Sequence, residues 1–246
     1  MPDDGNIRQK GYNMKDIFIN TLNFKKMQEL TEELYNNPLG VEMAAVVGRA
    51  GRGKTTSAEK IYSANPNTVY VLYQEDWTYM DVLRDMAFRL GGSRPRYRQQ
   101  CFEIIQNEME SRRRMIMVDE ADRMPIKVLN GLRNIHDIMK IPVVLIGEEA
   151  LIANLNRERR LISRIRDMIH FEPIGSTDVV IFYGYALDLK ITQQQSVRLL
   201  KHSGGDFRNI KTDALKAERI LISSGASDAK SLPDSVIDQI CGNGKK

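Results

Sequence analysis

The sequence predicts an α/β protein, with a parallel five-stranded sheet flanked by helices and a small C-terminal helical lid. Three observations predict it. Short apolar runs alternate with segments of helical period, a glycine-rich loop follows the first such run, and beyond Pro173 the strand signal disappears. Strands buried on both faces by crossover helices must be apolar throughout rather than at every second residue, and these runs are.

Over residues 24–35, Phe24, Met27, Leu30 and Leu34 recur at helical spacing, and Asn36-Asn37-Pro38-Leu39-Gly40 stops that helix. Residues 41–47 then read as a buried strand ending on glycine, and 55–63 as a helix. Further strands are expected at 68–73, 115–118, 141–146 and 168–171, with helical segments between them. Helices near 178–188, 192–202, 208–223 and 232–240 follow, with glycine or serine between them. The expected organisation is a tail over 1–19, an α/β domain over 20–175, a helical lid over 176–241 and a frayed end over 242–246.

Composition narrows the class. With 246 residues, 42% hydrophobic and 28% charged, the chain is long enough for one α/β domain and a small appendage. No apolar run approaches the roughly 20 residues of a membrane span, and the N-terminus lacks the apolar core of a signal peptide, so a cytoplasmic protein is expected. Cys101 and Cys241 are too few for a disulfide scaffold and lack metal-ligand spacing, and the three histidines are scattered. The net charge of +4 permits an acidic partner without demanding one. The arginines bunch locally, at 94, 96 and 98, at 112–114, and at 157, 159 and 160.

The glycine-rich loop is Gly48-Arg49-Ala50-Gly51-Arg52-Gly53-Lys54-Thr55, with Thr56 next along the helix. It matches G-x-x-x-x-G-K-[ST] and stands between a strand and a helix, as phosphate binding requires. Glycines let backbone N–H groups turn toward phosphates, and the helix N-terminus adds partial positive charge. Lys54 neutralises the β and γ oxygens, and Thr55 is expected to hold Mg²⁺. Downstream, Met115-Ile116-Met117-Val118 delivers Asp119 and Glu120 to a strand end. Asp119 would bind the metal through water, while Glu120 would orient and polarise the water that attacks the γ-phosphate, so the pair favours hydrolysis of ATP over phosphate transfer to a small substrate. Asp122 reads as a helix start.

This order of motifs resembles the AAA+ ATPases, and within them the phage Mu B transposition protein and related target-selection ATPases. The resemblance covers about residues 20–225 and is carried by GRAGRGKTT, RRRMIMVDEADRM, IPVVLIGEEAL, LISRIRDMIHFEPI and GGDFRNIKTDAL. It implies a γ-phosphate sensor at the end of the fourth strand, where Gly147-Glu148 replaces the usual Asn, Ser or Thr, so Glu148 fills the role or the contact comes from elsewhere. It implies an arginine before the fifth strand that reaches a neighbour's ATP, matched by Arg164 with Arg160 and Arg166 as competitors. Arg208 resembles the lid arginine that contacts the γ-phosphate in cis.

The resemblance further implies ATP-dependent assembly into a helical filament or ring on double-stranded DNA, recruitment of a transposase, and stimulated hydrolysis. From charge, the first places to look for DNA contact are Arg94, Arg96 and Arg98, with Tyr97 interleaved, and Lys127 and Arg133; each patch also reads as a solvated basic face. Trp77 and Tyr79 read as core residues sooner than as DNA contacts. The α/β domain begins almost at once, so any DNA contact is expected from the ATPase core. Two other readings share the motifs: an AAA+ switch of the secretion-associated or origin-recognition-like kind, and an ATP-binding adaptor that scarcely hydrolyses, against which Glu120 argues.

Overall fold

The computed structural model describes residues 14–37, 42–226 and 228–242, so the tail over 1–13, the helix stop and strand start at 38–41, and the end over 243–246 lie outside the described residues. The chain divides into two compact units, Leu22–Glu172 and a second made of 14–21 with 173–242.

The first unit runs α1 (Leu22–Asn36), β1 (Met43–Val47), α2 (Lys54–Ala64), β2 (Thr68–Leu72), α3 (Tyr79–Gly91), α4 (Arg98–Ser111) and β3 (Met115–Asp119). A 3-10 turn (Ala121–Arg123) then leads to α5 (Ile126–Met139), β4 (Val143–Gly147), α6 (Ala150–Arg157), α7 (Arg159–Ile162) and β5 (Ile165–His170). The five strands form one parallel sheet in the order β2-β3-β4-β1-β5. Register sets Val47 opposite Gly147 and Leu72 opposite Asp119, so the loops leaving β1, β3 and β4 open at the same end of the sheet. Ligands of open parallel sheets bind at that carboxyl end, where the strand order reverses.

Strands β1, β3 and β4 are buried at every residue, as their continuous apolar composition demands. Strand β5 differs. It starts at Ile165, three residues before the apolar run that predicted it, and takes in Arg166 and Asp167. It lies at the sheet edge, where one side needs no neighbour and charged side chains reach solvent. The core gathers Met43, Leu83, Met86, Ile105, Ile116 and Leu129, with Trp77 and Tyr79 packed against it.

The second unit contains α8 (Ser176–Leu187), α9 (Gln193–Ser203), α10 (Phe207–Ser223) and α11 (Asp234–Cys241). Its own core includes Phe182, Tyr183, Leu199, Ile210 and Ile237, and Ile19 joins it with Met14 and Ile17 alongside. Residues 14–19, expected within a tail, are therefore packed against these helices. Among the described residues, no helix is long and apolar enough to cross a membrane.

Candidate nucleotide site

The loop between β1 and α2 has the backbone its glycines permit. Gly51 and Gly53 take φ of 74° and 89°, a left-handed region closed to most side chains, and Gly53 caps the start of α2. At Gly48 the constraint is space: a β-carbon would lie 2.8 Å from the Phe171 carbonyl oxygen. Arg49, Ala50 and Thr56 are exposed, Arg52 and Thr55 half-buried.

Lys54 is buried, and its Nζ donates to the carbonyls of Gly48 at 2.5 Å and Arg49 at 3.0 Å. Burial lowers its pKa, opposed by the carboxylates of Glu148, Asp119, Asp122 and Glu120. Four acids thus face one ammonium.

Strand β3 ends on Asp119, 1% exposed. Its two oxygens are held separately: Oδ1 accepts the Glu120 N–H at 2.9 Å and Oδ2 the Tyr70 hydroxyl at 2.9 Å. Burial, with the Asp119 charge, pushes the Tyr70 pKa far up, so the phenol stays protonated and donates. Glu120 adopts φ 59°, uncommon for a non-glycine residue, and its carboxylate lies 3.0 Å from the Arg123 Nε. Burial raises the Glu120 pKa; Arg123 works against it, and Asp119 and Asp122 add to it. The Thr55 hydroxyl and the Asp119 carboxylate are hard oxygen donors, the kind Mg²⁺ takes from protein while nucleotide oxygens supply the rest. The residues present therefore fit that ion.

Asp122 is more than a helix-start residue. It sits inside the 3-10 turn, and its Oδ1 accepts the Glu148 N–H at 2.9 Å. Asn154 donates to its carbonyl at 3.0 Å. Gly147 lies so close that a β-carbon would fall 2.5 Å from Asp122 Oδ1. The turn after Asp119-Glu120 is thus fastened to the end of β4. Sequence reasoning missed both Asp122 and Tyr70 as members of this site, because their partners are 26 and 49 residues away and no local pattern marks them.

Glu148 is exposed and is the acid acting most strongly on Lys54. Ionised, it accepts hydrogen bonds and cannot donate one to a phosphate.

Arg164 Nε donates to Asp137 Oδ1 at 2.8 Å, and Arg133 Nε lies 3.8 Å from the same carboxylate. Burial would raise the Asp137 pKa, but the Arg164 hydrogen bond and charge outweigh it and leave the pKa lowered. Arg166 is engaged by Glu42 at 2.9 Å and Asp167 at 3.0 Å, while Arg160 is exposed on α7. In the second unit, Arg208 opens α10, exposed, with its N–H on the Asp206 carboxylate at 2.8 Å.

The α3–α4 connection collects arginines and rings. Arg94 stacks 4.5 Å from the Phe88 centroid, Arg96 5.8 Å from Tyr97 and Arg98 5.1 Å from Tyr79. Phe88 and Tyr97 are themselves exposed. Lys127 is exposed on α5, whereas Arg133 keeps only 15% of its side chain exposed and donates to Asn134 at 2.7 Å.

Residues 40–155 match the family described as AAA domain. The ATP-dependent target DNA activator B of Escherichia phage Mu is 26% identical over 126 residues, 50% of this chain and 40% of that protein. The Mu-like prophage FluMu DNA transposition protein B of Haemophilus influenzae is 26% identical over 176 residues, 68% of this chain and 61% of that protein. The matched region thus spans less than two thirds of either relative. Among solved structures, Aeropyrum pernix ORC2 aligns with a TM-score of 0.66 at 13% identity, over 95% of this chain and 70% of that one. The RuvB Holliday junction branch migration motor of Thermotoga maritima gives 0.61 at 18% identity, over 94% and 71%. At such identities these likenesses speak for the fold. The parallel sheet, the glycine-rich loop, the AAA domain match and the similarity to the Mu B relatives together support a Mu B-like AAA+ ATPase.

Proposed function

We propose that this protein binds ATP with Mg²⁺, assembles on double-stranded DNA in that state, recruits a transposase to the DNA and hydrolyses ATP on stimulation. The observation that carries the chemistry is the convergence of Lys54, Asp119 and Glu120 at the carboxyl end of the sheet. Lys54 would exchange the Gly48 and Arg49 carbonyls for phosphate oxygens. Thr55 and Asp119 would hold the metal, which supplies charge neutralisation at the β- and γ-phosphates. Glu120, with its pKa raised by burial, is suited to accept a hydrogen bond from the attacking water and orient it. An arginine from a neighbouring subunit, Arg164 before Arg160 or Arg166, would complete the charge around the transferred phosphoryl group, which makes hydrolysis depend on assembly.

The transposition role is supported by the names of the relatives, one a target DNA activator and one a DNA transposition protein. The Arg94, Arg96 and Arg98 cluster with exposed Tyr97 offers cations for a phosphate backbone, and assembly would multiply a weak contact per subunit.

Sedimentation tests this reading. ATP with duplex DNA should drive large assemblies and ADP should not, binding should fall steeply with salt, and Glu120→Gln should hold assemblies longer with turnover down about a hundredfold or more. Unchanged monomers in every condition would overturn the assembly, and a Glu120→Gln turnover equal to the parent's would remove Glu120 from the reaction.

A further inference from the structure

We propose that Tyr70 is a positioning residue for the metal, its hydroxyl fixing the orientation in which the Asp119 carboxylate meets Mg²⁺; this rests on the reading of the loop and acid pair as an ATP–Mg²⁺ site. Tyr70 is the middle residue of β2, opposite Met117 and two pairs before Leu72–Asp119. Its neighbours Val69 and Val71 face the large core, so Tyr70 points to the opposite side of the sheet, where its ring lies 5.9 Å from that of Tyr62 on α2. That is the helix the phosphate loop opens into.

Two donors serve the Asp119 carboxylate among the described residues, one for each oxygen. The Glu120 N–H is backbone and would be present whatever the side chains. The Tyr70 hydroxyl is the contribution of sequence, a polar atom in an otherwise apolar stretch of strand. Asp119 is 1% exposed and Tyr70 8%, so solvent has no ready access to replace the phenol if it is removed. With one donor on each oxygen, rotation about the Cβ–Cγ bond is blocked, and the remaining lone pairs keep one direction. A carboxylate held at one oxygen alone can swing, and a small ion that demands near-ideal octahedral geometry suffers from that swing more than an organic ligand does. Groups that orient a metal ligand from behind are worth about 10- to 100-fold in metal affinity or activity.

The full-length protein tests this by Mg²⁺ titration of a bound fluorescent ATP analogue, with affinity for the same analogue measured in EDTA and a thermal melt of each variant. Tyr70→Phe removes one oxygen atom. The expected result is a melt like the parent's, unchanged metal-free affinity, and a Mg²⁺ midpoint raised about tenfold. In an Asp119→Asn background the same substitution should move the midpoint no further, because Tyr70 acts through that carboxylate. Tyr62→Phe, on the neighbouring ring, should leave the midpoint where it is. An unchanged midpoint in Tyr70→Phe overturns the proposal, as does equal weakening with and without Mg²⁺, which would mark a structural role. A parent protein whose nucleotide binding ignores Mg²⁺ overturns the underlying reading of the site instead.

Discussion

Gly147 ends β4 against the turn that carries Asp122, with no room for a β-carbon between them. Gly147→Ala should therefore push that turn and its neighbours Asp119 and Glu120 out of place, at a cost of about 1–3 kcal/mol. Urea denaturation would show a lower midpoint at unchanged slope, and a midpoint equal to the parent's would mean the turn yields freely. The residues of this site differ in how openly the sequence displays them. Gly51, Gly53 and Lys54 were legible because each needs a residue type that its local backbone or charge dictates. Asp119 and Glu120 were legible because an apolar strand ends on them. Asp122 misled because an acid after a strand commonly does no more than start a helix, while here its acceptor oxygen also serves the backbone of Glu148, just past the end of β4. Tyr70 looked like any aromatic residue in a strand, since only the fold brings its hydroxyl to Asp119.

The segment from α7 into β5 presents its arginines unevenly. Arg166 is gripped by Glu42 and Asp167, whereas the Arg164 side chain is half-exposed and, among the described residues, ion-paired with Asp137 alone, at the edge of α5. Exposed ion pairs contribute little, so the proposed move of Arg164 from Asp137 to a neighbouring subunit's nucleotide would come at small cost. Arg164→Ala should keep nucleotide binding and lose DNA-stimulated hydrolysis about a thousandfold or more. Stimulation that survives intact, read in a phosphate-release assay with duplex DNA, would move the role to Arg160 or Arg166. Most helices and the inner strands were legible at this scale because burial writes itself as apolar period. The start of β5 was not, because an edge strand can carry Ile-Arg-Asp without breaking the sheet.

At the scale of the whole molecule, each unit folds around its own apolar cluster, and stability should carry the mark of ionisable groups sealed inside. His136 is 2% exposed with its Nδ1 2.8 Å from the Ile141 carbonyl, and burial lowers its pKa below the ordinary 6.5. The unfolded chain therefore takes up a proton that the folded one refuses, so stability is lost as pH falls from about 6.5 toward the lowered value, at up to about 1.4 kcal/mol per pH unit. Melting temperatures measured from pH 7 to pH 5 should drop less in His136→Gln, and parallel curves would remove the histidine from the account. The fold class was the most legible property of all, since alternating apolar runs leave few other topologies open. Edge strand β5 has one more consequence. A strand with one row of unpaired backbone groups invites uncontrolled strand addition, and the ion-paired Arg166 and Asp167 make that border a poor template. If subunits assemble only with ATP, as proposed, they must also be unable to join by accident, and the charged border of this sheet would leave the timing to the nucleotide.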